Sequence, residues 1–159
     1  MTAIRAASRA PSRFAALGLF NMPFRRNQGL GRLGFQLQKL LWVFPRFYAR
    51  LAARALYTEG TLKAHPEYSA AMQDRLSARP PKEISRGIDA VLLNPEDGTH
   101  LFGELKVPAL AVVGQSDYVG RPPSLNVTEV LGGHISPHEA PEGTRNALKQ
   151  VVLTAGDSA

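Results

Sequence analysis

The sequence contains no cysteine. That excludes a disulfide framework, a thiolate metal site and a cysteine nucleophile; it suits a reducing compartment, and a cytoplasmic location is expected. No uninterrupted apolar run approaches about 18 residues, so no membrane span is expected. There is no internal repeat and no low-complexity tract. No spacing of His, Asp and Glu suggests a metal site, and no cofactor is implied. Acidic residues are missing from the opening stretch: none precedes Glu59, and the whole chain carries a formal net charge of +6. Nothing in the sequence specifies an oligomeric state.

What is present fits one globular domain of ordinary size, with 159 residues and 44% apolar content. MTAIRAASRAPSRF reads as a helix with a small-residue stripe, Ala3, Ala6, Ala7 and Ala10, ended by Pro11. Arg5, Arg9 and Arg13 repeat every four residues on another face. Alone, this segment has the composition of a transit peptide, or of a basic helix for a membrane surface or nucleic acid. Those readings account for neither the adjoining apolar run nor the C-terminal motifs, so the ladder is read as a solvated face and no nucleic-acid partner is expected. FAALGLF, Phe14 to Phe20, reads as a buried strand stopped by Asn21 and Pro23.

From about Gly34 to about Asp97 the pattern is helical. Leu37, Leu40, Leu41 and Phe44 follow helical spacing; Tyr48, Leu51 and Ala55 continue it past Pro45, which should kink or split the helix. Further helices are expected after Pro66 and near Pro80–Pro81, then a turn at NPEDG. Trp42, Phe44, Phe47 and Tyr48 are read as core aromatics, with an acyl pocket as the alternative. The end returns to α/β. Ala109 to Val113 and Leu125 to Leu131 read as strands. Pro141 to Leu153 reads as a helix with Thr144, Leu148, Val151 and Val152 on one face, Glu139 and Glu142 near its positive end, and TAGDSA as a frayed tail.

Two loops carry chemistry. GQSDYV puts Asp117 just past one buried strand, and GGHISPHEAPE puts His134 just past the next. Ligands bind outside the carboxyl ends of parallel strands. An acid and a histidine there can act as orienting carboxylate and general base. Gly132–Gly133 permits a sharp turn beside His134. His138, His65 and His100 are read as surface residues.

These segments resemble the last two catalytic segments of the α/β-hydrolase superfamily, a G-x-x-D strand end followed by a G-H loop and an E-x-P-E helix start. Gly114 and Asp117 match the first pattern. Gly133, His134, Glu139, Pro141 and Glu142 match the second. The order, acid before histidine, also agrees. The N-terminal helix, proline and strand resemble the stretch directly after the family's nucleophile elbow. The resemblance implies the C-terminal part of an α/β-hydrolase parallel sheet with an inserted helical cap: core over residues 1–24, cap over 25–104, and core with the acid and histidine loops over 105–159. It implies a serine hydrolase of a small-molecule ester or similar acyl substrate, with Asp117 orienting His134. An epoxide or carbon–halogen hydrolase with an Asp nucleophile uses the same pair.

The sequence departs from the family at three points. It has no G-x-S-x-G, and Ser116 belongs to the acid loop. The elbow would lie immediately before Met1, which is therefore read as an internal methionine or a misassigned start. Without nucleophile and oxyanion donors, a loss on the order of a million-fold is expected, so the chain alone is expected to be inactive, with an inactive or binding protein as the other reading. Three strands replace the usual eight, which predicts an exposed sheet edge and marginal folding. Finally, YVGRPPS replaces the helix between the last two strands; its roughly 26 Å reach suffices for an extended crossover.

Overall fold

The computed structural model describes residues 2–23, 29–41, 44–94, 97–122 and 124–156. It divides into two compact units, Met1–Phe24 with Asp97–Ala159, and Arg25–Glu96.

The first unit is built on three parallel strands in the order β1 (Leu17–Phe20), β2 (Ala109–Gly114), β3 (Asn126–Val130). Leu17 pairs with Ala109, and Leu110 with Asn126. The central strand is buried at Ala111, Val112, Val113 and Gly114. This explains why its sequence is continuously apolar: neighbours cover both faces. On one face Leu17, Leu19 and Val107 meet Ile4 and Ala7 of α1 (Thr2–Arg9) and Phe102 of α7 (Thr99–Glu104). On the other, Val112 and Val130 meet Ala147 of α9 (Pro141–Gly156), with Phe20 and Leu110 beside them. The short α8 (Ser136–Glu139) precedes α9.

Several sequence expectations shift here. β1 begins at Leu17 rather than at Phe14, which closes a 3-10 turn at Pro11–Arg13 by donating its amide to the Pro11 carbonyl. α1 buries Ile4 and Ala7 completely and leaves Ala3 exposed, so its inward stripe is centred on a branched residue. Burying one such side chain stabilises by about 1.5–3 kcal/mol, more than an alanine can supply. α9 faces inward through Ala147 and Val151, whereas Leu148 and Val152 are 48% and 70% exposed. The helix lies close to the sheet at Gly18, where an added Cβ would sit 3.1 Å from Val151. A small residue at 147 permits that approach; a leucine would hold the helix off. The helix also runs through Thr154–Gly156, where Thr154 Oγ1 donates to the Gln150 carbonyl, instead of fraying there. Among the described residues no helix joins β2 to β3, and the link is held to β3 by the Arg121–Glu129 ion pair.

The second unit is helical: α2 (Gly29–Leu40), α3 (Pro45–Leu56), α4 (Glu59–Ala64), α5 (Pro66–Ser77) and α6 (Pro81–Ile88), then a π-helical turn (Asp89–Leu93). Pro45, Pro66 and Pro81 each stand at the first helical turn, where the missing amide proton costs nothing. Thr58 caps α4 by accepting from the Thr61 amide at 3.3 Å. Tyr48, Ile88 and Leu93 form the core with Phe35, Leu76 and Ile84 around them. Arg32 reaches the Leu93 carbonyl and Asn94, closing the π turn against α2. Phe44 and Phe47, expected in the core, are 64% and 51% exposed. The inward face of α3 is filled instead by Tyr48, Ala49, Ala52 and Ala53. Leu37 is likewise exposed. Trp42 and Pro95–Glu96 of the NPEDG turn lie outside the described residues.

Candidate functional site

Both functional side chains are placed by strand ends. β2 ends at Gly114, and the chain turns at once: the Asp117 amide donates to the Gly114 carbonyl at 2.9 Å. β3 ends at Val130, and Gly132 at φ 101° turns the next segment back over β2. That backbone lies so close that a Cβ at Gly114 would stand 2.2 Å from the Gly133 carbonyl oxygen. A side chain at Gly114 would separate the loops, and one at Gly132 would be strained at its positive φ and crowd Glu139.

His134 Nδ1 lies 3.0 Å from Asp117 Oδ1 and 3.2 Å from Oδ2. The Asp117 side chain is fully buried and that of His134 is 20% exposed. Asp117 Oδ1 also accepts from the Val119 amide at 3.2 Å, which fixes the carboxyl group within its own turn. An ionised carboxylate only accepts hydrogen bonds, so a neutral imidazole bonded to it carries its proton on Nδ1. Nε2, on the far side of the ring, is then left with a free lone pair. Tyr118 packs on the imidazole, ring centroids 5.0 Å apart. Partial burial of a residue that stays 48% exposed, and secondarily the charge of Asp117, hold its phenol above the ordinary tyrosine range.

Residues that sequence reasoning used differently complete the site. Asn21, expected only to stop β1, is buried and bonds to both loops. Glu139, expected as a helix-end charge, accepts from the Gly133 amide at 2.5 Å. The E-x-P-E pattern carried that signal; Glu139 lies just before α9, as expected, and its carboxylate is bonded to the histidine loop. Ser136 is fully buried and bonded to the Asn21 amide, whereas Ser116 is exposed in the acid loop. His65 stacks on Tyr68 and contacts Glu67 in the helical unit, and His100 and His138 are exposed. Among the described residues no cluster of His, Asp and Glu can hold a metal ion, and no helix is long and apolar enough to cross a membrane.

No protein-family model matches the chain, and no curated protein matches it. Solved structures do. An alpha/beta hydrolase enzyme from a Medee basin deep-sea metagenome library superposes with a TM-score of 0.74 at 17% identity, over 97% of this chain and 60% of that one. The enol-lactonase from Burkholderia xenovorans gives 0.73 at 16%, over 94% and 60%. A thermophilic esterase from Thermogutta terrifontis gives 0.70 at 22%, over 96% and 61%. The chain thus spans about three-fifths of the length of the structures it matches. Three parallel strands, an acid and a histidine at adjacent strand ends, and these superpositions lead to one conclusion: the chain has the fold of the C-terminal part of an α/β-hydrolase, with a helical unit inserted between β1 and β2.

Proposed function

We propose that this chain supplies the acid–base half of a hydrolase active site acting on a small-molecule ester or similar acyl compound. The observation that carries the reading is the 3.0 Å contact between His134 Nδ1 and the buried Asp117. In the proposed reaction a serine outside this sequence attacks the substrate carbonyl. His134 Nε2 takes the serine proton and later returns it to the leaving alkoxide. Asp117 holds the ring in the required tautomer and stabilises the imidazolium. The helical insertion, read from the sequence as residues 25–104, corresponds to the cap that the resemblance implies. An esterase and an enol-lactonase among the similar structures support acyl chemistry. With an Asp nucleophile the same pair would serve an epoxide or carbon–halogen hydrolase.

The test begins with the codons upstream of Met1. An in-frame G-x-S-x-G supports the reading. Protein that includes that segment is then assayed on activated esters, with Asp117→Asn expected to lower kcat about 10⁴-fold. An in-frame stop codon and start signal, with no ester hydrolysis by the 159-residue chain, would sink the reading in favour of an inactive or binding protein.

A further inference from the structure

Asn21 occupies an unusual position. It follows β1 with φ 44°, a left-handed conformation that asparagine tolerates better than most residues. It is 6% exposed, and every polar group of its side chain is used. Oδ1 accepts from the Gly114 amide at 2.9 Å. Nδ2 donates to the His134 carbonyl at 2.7 Å and to Ser136 Oγ at 2.6 Å. The orientation is unambiguous, because an amide N–H can only donate and a carbonyl can only accept. Its own amide donates to the Val112 carbonyl at 2.8 Å, which anchors the residue to β2. One side chain therefore joins the end of β2, three residues before Asp117, to the backbone of His134 itself.

We propose that Asn21 is a positioning residue that sets the register of the His134 loop against the Asp117 loop, and so keeps the imidazole on the carboxylate. This rests on the reading of Asp117 and His134 as an acid–base pair. The other tethers act beside His134 and not on it: Glu139 holds Gly133, and Gly132 O accepts from the Ser116 amide at 3.0 Å. Among the described residues, the bond from Asn21 grips the histidine's own peptide. With it gone, the loop can pivot about Gly132–Gly133, and the ring leaves Asp117.

Asn21→Asp removes both Nδ2 donations, to the His134 carbonyl and to Ser136 Oγ. Its carboxylate still accepts from the Gly114 amide but cannot donate to the His134 carbonyl. Asn21→Gly suits the positive φ while removing all three side-chain bonds, which separates backbone strain from hydrogen bonding. Ser136→Ala leaves the bond to His134 in place. The readout is the imidazole tautomer from ¹⁵N shifts of the 159-residue chain with the ring neutral. A merely structural role would lower stability without moving this signal. We expect the Nδ1–H form in the wild type and in Ser136→Ala, and loss of its predominance in Asn21→Asp and Asn21→Gly. Folded Asn21 variants that keep the wild-type tautomer overturn the role of Asn21. A wild type in the Nε2–H form overturns the acid–base reading itself. If the variants do not fold, hydrogen exchange of the wild-type Asn21 side-chain amide decides: exchange as slow as core backbone amides supports the double donor, and exchange at the rate of a free amide refutes it.

Discussion

Gly114→Ala is the sharpest test of how the two loops are held together. The new Cβ would stand 2.2 Å from the Gly133 carbonyl oxygen and 2.7 Å from that of Gly132. Both obstacles are backbone, so no rotamer change relieves them. To reach ordinary contact the Gly133 carbonyl must withdraw by about 1 Å. The adjoining His134 would move with it, and its 3.0 Å contact with Asp117 would open to about 4 Å, past hydrogen-bond range. Overpacking typically costs about 1–3 kcal/mol, and a clash with rigid backbone belongs at the upper end. For a chain of this size that is a fall in Tm of about 6–12 °C. Thermal unfolding by circular dichroism measures the fall, and the His134 ¹⁵N shifts report the broken contact. Gly34→Ala is the control, since its Cβ meets nothing within 4 Å inside α2; it should gain about 0.5–1 kcal/mol from helix propensity. A Gly114→Ala chain as stable as the wild type, with His134 still on Asp117, would refute the close-approach argument.

Three further outcomes are expected. Tyr118 should ionise above the ordinary tyrosine value of 10.0, as read from the ultraviolet titration difference between the chain and Tyr118→Phe. The folded state then holds the phenolic proton more tightly than the unfolded state. Its contribution to stability is complete below pH 10 and is lost as pH rises through the folded-state value. A midpoint at or below 10 contradicts the burial assigned to the ring. Glu139→Ala removes a charged acceptor from the Gly133 amide and should cost about 1.5–3 kcal/mol in urea unfolding, whereas Glu139→Gln, which keeps an acceptor oxygen, should cost less. Thr58→Ala removes the α4 cap and should cost about 1 kcal/mol, with amide exchange quickening at Thr61 and a null effect there refuting the cap.

The sequence by itself determined the parallel strands and the positions of Asp117 and His134 just past their ends. Apolar runs at Phe14–Phe20 and Ala109–Val113 specify two strands, observed at Leu17–Phe20 and Ala109–Gly114, and prolines at 66 and 81 mark where helices begin, while Pro45, expected to kink or split a helix, also stands at a helix start. Asp117 and His134 were legible because each directly follows a strand in a pattern with few alternatives. The tertiary structure decided which helix faces turn inward. Periodicity places Thr144, Leu148, Val151 and Val152 on one face; of these Val151 packs against Gly18, Leu148 and Val152 stay exposed, and Ala147 is the residue buried. It also decided the roles of Asn21 and Glu139. A buried amide that bonds to Gly114 and His134, residues 93 and 113 positions away, leaves no local pattern. Only the folding of β1 beside β2 creates the place where one asparagine can satisfy both loops.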